Sequence, residues 1–281
     1  MSVQAPRASA LRPPEGRQNT ADIIGIGAQR AMTSWLHRVL SAHPGSWSFP
    51  DCSPLTSTDK EAHYWTRNHH RGPDWYRVLM TPPERRERLS LDITPDYALL
   101  DPAQIAECHA LSPGARVIFI LRDPLARAIS ALRMHSLWDS GHAPAEALRL
   151  DFDDATRARM ERARIRQMAD AAGQLRRWRA AYPDMLVLNY ETLATDPLAG
   201  ALGILTACGL DPAAMPPETR DELERRATER VWQTPRYAVS PDLLHLLHGM
   251  TWQARRDIEE ETGFRFNEMH AILDSASGAA A

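Results

Sequence analysis

Lysine is almost absent from this chain. Its 281 residues include 33 basic side chains, of which Lys60 is the single lysine and the other 32 are arginines. We interpret this bias as the coding preference of a GC-rich genome rather than as a functional feature. The formal net charge is −3, which excludes the strongly basic balance typical of a general nucleic-acid-binding protein.

Cysteine is also scarce, and no metal-binding pattern is present. Cys52, Cys108 and Cys208 are far apart, without a CxxC or Cys/His zinc spacing. Free thiols in a reducing cytoplasm are therefore expected. The histidines within residues 63–70 lack a helical HxxxH arrangement, so we predict no metal site.

Long apolar runs are missing as well. No segment approaches the roughly 18 apolar residues needed to span a bilayer. Residues 1–20 are polar and lack the apolar core of a secretory signal. They predict a disordered leader, with an organellar transit peptide as the alternative. Residues 274–281 predict a flexible tail, which leaves a single domain over residues 21–273.

Short apolar segments predict the strands of an α/β fold. They cover residues 22–27, 116–122 and 185–190, with a weaker candidate at 89–94. Residues 116–122 contain five consecutive apolar residues, as a strand buried on both faces requires. Helical patterns lie between these segments, so we predict a central parallel sheet flanked by helices.

Several helices have predictable ends. One begins after the first strand and ends at His43-Pro44, and another begins at Asp123, a good N-cap followed by proline. Residues 155–181 predict one long arginine-rich helix, in which a solvated face is favoured over an anion site. Residues 197–210 predict a helix closed by Gly209, and residues 241–263 predict the last helix.

The first predicted strand ends in a loop that leads directly into a helix. A Walker A loop would need glycine at Met32 and lysine at Thr33, so magnesium-assisted ATP chemistry is disfavoured. Backbone N–H groups at a helix start still bind an anion without a metal, and Arg30 adds a permanent charge. The candidate anion-binding residues are Gly27, Ala28, Gln29, Arg30, Ala31, Met32, Thr33 and Ser34. On the loop alone, a plain turn that binds no ligand is an equal alternative.

A second candidate lies at the end of strand 116–122. Arg122 follows that strand, and open α/β sheets bind ligands along this edge. Ser130 comes next in the following helix. Two anion-binding groups at neighbouring strand ends indicate a ligand with two separated phosphate-like groups. The alternative is that Arg122 merely pairs with Asp123 or Asp96.

Six segments match the motifs of one enzyme family in the family's order, over roughly residues 22–270. QRAMTS resembles a bacterial QRSGTT phosphosulfate loop, and LRDPLARAIS resembles a 3′-phosphate motif. LDITPDY is similar to EKTPxY, and VLNYETLATDP to YEDLxxDP. KEAHYW and HRGPDWY resemble the KExHFF and HxxGxxWY segments of the heparan sulfate branch. The chain thus resembles the sulfotransferases that use 3′-phosphoadenosine-5′-phosphosulfate.

The resemblance implies a P-loop-like sulfotransferase fold, this nucleotide as the donor, and no metal. It assigns the loop to the 5′-phosphosulfate, and Arg122 and Ser130 to the 3′-phosphate. Glu61 is the implied base that activates the acceptor, with His63 assisting. The alternative for Glu61 is an ion pair with Lys60 or Arg67.

Arg30 suits the leaving phosphate because its charge persists at any working pH. The heparan-type branch has lysine at Arg30, and many members have glycine at Met32. The side chain of Met32 must therefore point away from the phosphosulfate or narrow the pocket. The usual KGR-like segment is not visible, and residues 226–236 occupy its place. We assign Arg230 or Arg236 to cover the adenine or the 3′-phosphate.

These observations predict a bacterial, cytoplasmic sulfotransferase. Its acceptor would be a hydroxyl, or an amine, of a small molecule or carbohydrate, and no nucleic-acid partner or membrane span is expected. The motifs concern the donor and the base and do not specify the acceptor. Two rival functions are a nucleotide-binding module that has lost turnover, suggested by Arg30 and Met32, and a phosphotransferase on the same scaffold.

Overall fold

A parallel sheet of short strands forms the centre of the structure, a computed structural model that describes residues 20–50, 59–82, 87–229, 231 and 234–278. The predicted leader, apart from Thr20, lies outside the described residues, as do Arg230 and residues 279–281. In chain order the strands are β1 (Ile23–Gly27), β2 (Ser46–Trp47), β3 (Leu89–Ile93), β4 (Arg116–Leu121), β5 (Arg149–Leu150), β6 (Leu186–Asn189) and β7 (Ala238–Val239).

The central sheet has the strand order β2-β3-β1-β4-β6, with every neighbouring pair parallel. Strands β5 and β7 form a separate parallel pair. The apolar segments that predicted strands correspond to β1, β3, β4 and β6, so the predicted α/β class is confirmed. All five residues of β1 are buried, as are five of the six in β4.

Helices flank the sheet. In chain order they are α1 (Thr33–Ala42), α2 (Gly72–Leu79), α3 (Pro102–Leu111), α4 (Pro124–Asp139), α5 (Asp154–Arg162), α6 (Ile165–Ala169), α7 (Ala171–Ala181), α8 (Tyr190–Thr195), α9 (Pro197–Ala207), α10 (Pro217–Thr228), α11 (Pro241–Thr262) and α12 (Glu268–Gly278). The predicted cap of α4 is confirmed, because the Asp123 carboxylate accepts a 2.9 Å hydrogen bond from the backbone N–H of Ala126.

The single long helix predicted over residues 155–181 is wrong. The chain forms α5, α6 and α7 there instead. Arg164 has a left-handed backbone (φ 47°) between α5 and α6. Asp170 then caps α7 by accepting a 3.0 Å hydrogen bond from the backbone N–H of Gly173. The apolar stripe that suggested one helix is buried in the two later helices, at Ile165, Met168, Leu175 and Trp178.

The prediction that residues 241–263 form the last helix is also wrong. α11 ends at Gly263 (φ 71°), but α12 follows and reaches Gly278, within the segment for which a flexible tail is predicted. A second hydrophobic cluster includes residues of α4, α11 and α12, such as Leu132, Leu247 and Met269. α12 is therefore fixed beside α4, next to the carboxyl end of β4.

Parallel strands place three chemically interesting segments at one edge. β1 pairs with β4 on one side and β3 on the other, with Ile24 opposite both Val117 and Asp92. The loop after β1, the segment after β3 and the start of α4 after β4 therefore leave the sheet together. Ligands of open α/β sheets bind at this edge.

Close packing across the sheet makes a testable demand at Gly25. A Cβ atom there would lie 2.8 Å from Cγ2 of the buried Ile93, which must shift to make room. We expect Gly25→Ala to destabilise the fold by about 1–3 kcal/mol, measured by denaturant unfolding.

Gly203→Ala is the matched control, because a Cβ there meets nothing within 4 Å and the residue lies inside α9. It should be neutral or stabilising by up to about 1 kcal/mol. Equal effects of the two substitutions would contradict the packing described for β1 and β3.

Candidate active site

The loop after β1 has an unusual backbone. Arg30 and Met32 are both left-handed, with φ of 70° and 61°, a conformation that clusters at functional sites when non-glycine residues adopt it. Gly27 has φ 143°, and a Cβ there would lie 3.1 Å from the carbonyl oxygen of Pro95. Met32 is the N-cap of α1, and no described side chain caps that first turn. The helix start is thus free to bind an anion.

The loop side chains divide into packing and polar groups. Met32 packs against the main hydrophobic core. Of the two orientations considered from the sequence, this is the one in which the side chain points away from the predicted binding loop surface. Ala28 and Ala31 are buried. Gln29 has a buried side-chain oxygen with no hydrogen-bond partner among the described residues. Thr33 is buried, and Ser34 lines a neighbouring cavity.

Arg30 is a cation held by neutral partners. Its guanidinium donates to Ser130 Oγ at 3.1 Å, to Met134 Sδ at 3.4 Å and to Thr234 Oγ1 at 2.8 Å. Within the described chain, no carboxylate lies at ion-pair distance from it. Burial, together with the positive charge of Arg122, lowers the pKa of Arg30 to about 10. The side chain therefore remains charged at neutral pH without a counter-ion.

Arg122, by contrast, has a counter-ion from α12. Its Nε and one terminal nitrogen each donate to a carboxylate oxygen of Glu268 at 2.7 Å. The other terminal nitrogen donates to the Arg30 carbonyl oxygen at 2.8 Å, and the guanidinium lies 4.3 Å from the Tyr190 ring centre. Burial lowers the pKa of Arg122, but the hydrogen bonds to Glu268 outweigh it and the net pKa is raised.

Glu268 is therefore the partner of Arg122, in place of the Asp123 or Asp96 pairing considered from the sequence. The bidentate geometry is the one with which arginine also binds phosphate. The carboxylate thus occupies two of the donors that were assigned to a phosphate from the sequence.

Further positive charge surrounds this site. Arg133, on α4, donates to the carbonyl oxygen of Tyr237 at 3.0 Å. Burial and the charges of Arg236 and Arg122 lower the pKa of Arg133. Arg236 is exposed near it, whereas Arg230 lies outside the described residues. Arginines from the loop after β1, the end of β4, α4 and the segment before β7 thus gather at one place.

The segment after residue 59 forms a second polar cluster. Lys60 Nζ forms an ion pair with Glu61 Oε1, and Glu61 Oε2 lies 3.0 Å from His63 Nε2. The other ring nitrogen of His63 is 3.0 Å from Thr66 Oγ1. Burial raises the pKa of Glu61, but the His63 hydrogen bond and the Lys60 charge outweigh it and hold that pKa at about 2. Glu61 is thus ionised at any working pH.

The ion pair of Glu61 with Lys60, considered from the sequence, is present, and the role of Glu61 as a base stays a prediction. The carboxylate pairs with Lys60 and also contacts His63. Arg67, the other candidate ion partner, lies 3.6 Å from Asp96 instead. Asp96 lies 4.0 Å from His63 Nδ1 and 2.8 Å from Arg164.

A buried carboxylate, which the sequence did not single out, holds this cluster in place. Asp92, at 0% exposure, accepts hydrogen bonds from Thr94 Oγ1 (2.6 Å), Tyr97 OH (2.9 Å), Tyr76 OH (3.0 Å) and the backbone N–H of Ala62 (3.2 Å). The last of these ties β3 directly to the Lys60–His63 segment. Burial raises the pKa of Asp92, although these hydrogen bonds oppose the shift.

Backbone contacts complete the attachment. The Ile93 N–H donates to the Lys60 carbonyl at 2.7 Å, and the His63 N–H to Thr94 Oγ1 at 3.3 Å. The Tyr64 N–H donates to the Tyr97 hydroxyl at 2.7 Å. Residues before and after Glu61 in the chain are therefore hydrogen-bonded to β3 or to the segment that follows β3. These bonds fix the position of Glu61 relative to the sheet.

A cavity of about 380 Å³ lies beside the loop after β1 and the Lys60–His63 segment. Ser34 of the loop and Lys60 of that segment both line it. The other lining residues are His37, Arg38, Ser41, Asp59, Glu222, Arg225, Arg226 and Val231. Burial lowers the pKa of His37 to about 4, so this ring is neutral at pH 7, and its Nε2 lies 2.6 Å from Ser48 Oγ.

The described residues contain no group of three or more His, Cys, Asp or Glu side chains placed to hold a metal ion. None of the helices traced here is long and apolar enough to cross a membrane.

Comparison with known proteins finds similarity to one enzyme family. A model described as "Sulfotransferase family" matches residues 101–214. Mouse heparan sulfate glucosamine 3-O-sulfotransferase 3A1 is 31% identical over 125 residues, which are 44% of this chain and 29% of that protein. Residues 101–214 are thus similar to the sulfotransferase family. The human 3A1 enzyme is 29% identical over 70% of this chain and 46% of its own length, so the chain spans less than half of either relative.

Solved structures show the same fold. A sulfotransferase from Alicyclobacillus acidocaldarius superposes with a TM-score of 0.62 at 20% identity, over 89% of this chain and 98% of that one. The sulfotransferase domain of the Synechococcus PCC 7002 olefin synthase gives a TM-score of 0.50 at 16% identity, over 88% and 97% of the two chains. The predicted sulfotransferase fold is thus confirmed.

The structure brings together Arg30, Arg122 and Ser130, which are predicted to bind the donor, and separately Glu61 and His63. The sequence reasoning missed Glu268 and Thr234, which are distant along the chain and carry no local motif. Asp92 lies inside the recognised LDITPDY segment. An acidic residue within a predicted buried strand was the sequence feature that could have singled it out.

Substitution of Asp92 tests whether this carboxylate attaches the Lys60–His63 segment to the sheet. Asp92→Ala leaves several buried donors without an acceptor, and each such group costs about 1–3 kcal/mol. We expect a loss of roughly 2–4 kcal/mol in unfolding free energy.

Asp74→Ala is the control for Asp92→Ala, because that carboxylate is 93% exposed, and it should change stability by about 0.5 kcal/mol or less. A similarly small effect at Asp92 would show that the Lys60–His63 segment is held by other contacts.

Proposed function

We propose that the protein is a sulfotransferase, which transfers the sulfuryl group of 3′-phosphoadenosine-5′-phosphosulfate to a hydroxyl, or an amine, of a small-molecule or carbohydrate acceptor. The observation that carries the proposal is the state of Arg30. A partly buried guanidinium with hydroxyl partners and no described carboxylate is suited to an anionic ligand. Its partner Ser130 lies in the segment that resembles the 3′-phosphate motif.

The residues around Arg30 divide the donor between them. The uncapped start of α1, with Thr33 and Ser34, would hold the 5′-phosphosulfate. Ser130 and Arg122 would hold the 3′-phosphate, and Arg236 lies near enough to Arg133 to cover the same region. Arg30 belongs to the loop and donates a hydrogen bond to Ser130, so its charge would stabilise the phosphate that develops negative charge as the sulfuryl group leaves. No metal is needed for this arrangement, and we propose that none takes part.

Glu61 would accept the proton from the acceptor. It is ionised at neutral pH, and His63 on its second oxygen orients it. The two groups are close enough to titrate as a pair. The acceptor would enter the cavity that Ser34 and Lys60 share, since this space adjoins both the loop and the base segment.

We also propose a bacterial cytoplasmic setting. Cys108 and Cys208, the cysteines that the structure describes, are free and buried, as a reducing compartment allows.

One observation favours a second function, a nucleotide-binding module without turnover. Glu268 holds the donors of Arg122, and a nucleotide must displace this carboxylate to use them. If the nucleotide binds only weakly or in another position, the protein keeps the fold but does not support sulfuryl transfer.

The deciding experiment supplies donor labelled with ³⁵S in EDTA and, separately, ATP labelled with ³²P at the γ-phosphate with magnesium, each with a panel of phenols, sugars and amines. We expect ³⁵S to appear in an acceptor without any requirement for a metal. Binding of 3′,5′-adenosine bisphosphate without transfer to any acceptor would support the module. Transfer of ³²P would instead indicate a phosphotransferase, and loss of binding on chelation would contradict the metal-free site.

Glu61→Gln tests the base. The change keeps the size of the side chain and removes its charge, so turnover should fall by roughly 10²-fold or more, while the affinity for adenosine bisphosphate stays the same. Initial rates and calorimetry measure the two quantities.

Glu107→Gln is the matched control for Glu61→Gln, because Glu107 also contacts a histidine, His69 at 2.8 Å, but on the exposed surface. It should retain the native rate. If Glu61→Gln also turns over at the native rate, the base is another group, and His63 is the next candidate.

A further inference from the structure

The single lysine of the chain is not at an arbitrary position. Coding bias accounts for the 32 arginines but leaves the exception, Lys60, unexplained. Most lysines in proteins are exposed, and they are almost never fully buried without a partner. Lys60 is 9% exposed, pairs with the proposed base, and lines the cavity beside the loop.

The geometry around Lys60 suits an ammonium better than a guanidinium. Its backbone is held by the 2.7 Å hydrogen bond from Ile93 to its carbonyl oxygen. Glu61, the next residue, is the only hydrogen-bond partner of Nζ in the described chain. An ammonium is a compact charge with three rotatable donors, whereas a guanidinium is a wide planar fork. A compact group can hold one carboxylate oxygen and still present N–H groups to the cavity.

We propose that Lys60 is a positioning residue that fixes the Glu61 carboxylate and directs its remaining N–H groups to an oxygen atom of the acceptor, a task that arginine cannot take over. The first part of this proposal, the positioning of Glu61, depends on the ion pair alone. The second part, the contact with the acceptor, rests on the proposed function. The charged or titratable groups that face this pair are His63, with Asp96 behind it, and, on the cavity side, His37, Asp59 and Arg226.

The absence of other lysines makes the first test selective. Amine-acetylating reagents can modify only Lys60 and the terminal α-amino group, and peptide mass spectrometry separates these two products. We expect slow modification of Lys60 in the native protein, and modification at least about tenfold faster in Glu61→Gln, because a charge-assisted hydrogen bond is lost. Glu107→Gln should match the native rate. Equal rates in the native protein and Glu61→Gln would overturn the pairing, whether or not the protein transfers sulfate.

Titration of Glu61 by carbon NMR gives a second readout without turnover. The native pKa is expected near 2, so the carboxyl remains ionised down to strongly acidic pH. In Lys60→Met the ammonium is gone and the pKa should rise toward the ordinary glutamate value of about 4.3, whereas Lys60→Arg should keep it low. An unchanged pKa in Lys60→Met would overturn the proposed positioning.

Kinetics then test the requirement for lysine. Lys60→Met should lower kcat by about 10- to 100-fold, as misplacement of a catalytic group does, and move the acid limb of the pH–rate profile upward. Lys60→Arg should keep that limb in place but raise the acceptor KM, because the fork intrudes on the cavity. Native kcat and KM in Lys60→Arg would show that the lysine is a compositional accident. If the native protein transfers no sulfate, the labelling and the titration still decide the ion-pair half.

Discussion

The candidate site depends on an excess of positive charge at the carboxyl ends of β1 and β4. Arg30 and Arg122 lie side by side there, with Arg133 close by, and Glu268 provides the one carboxylate that forms an ion pair with Arg122 in the described structure. Like charges gathered in a partly buried place are unfavourable unless an anion joins them. The parallel sheet, the loop after β1 and the position of α12 all serve to hold these guanidiniums together.

The Lys60–His63 segment, which carries the proposed base, is positioned by a buried carboxylate. Asp92 is buried and must have its oxygens satisfied, so it binds the tyrosines of two elements and the backbone of the Lys60–His63 segment. A rigid attachment of this kind suits a reaction in which the base must lie within hydrogen-bond distance of one proton. Burial of this carboxylate is unfavourable, because it removes the group from water. The same loss of solvation raises the pKa of Asp92.

The sequence predicted the parts of the fold that depend on local patterns. The apolar run of β4, the Asp123 cap of α4 and the left-handed glycines that follow α9 and α11 are all local features. The break between α5 and α6 was missed because it depends on the backbone of Arg164, which no residue type demands, and the break between α6 and α7 lies at the Asp170 cap. At the site, the loop and the Arg122–Ser130 segment were recognisable. The ion pair between Arg122 and Glu268 joins residues 146 apart. They are brought together by the packing of α12 on α4 and by backbone hydrogen bonds from Asn267 and Glu268 to Glu191.

The most direct test is a crystal structure of the protein with 3′,5′-adenosine bisphosphate. The account predicts that the phosphates contact Arg30, Ser130 and Arg122, with the Arg122–Glu268 ion pair opened and the 5′-phosphate at the start of α1. A nucleotide bound elsewhere, while Arg122 keeps both hydrogen bonds to Glu268 and Arg30 keeps its neutral partners, would contradict it.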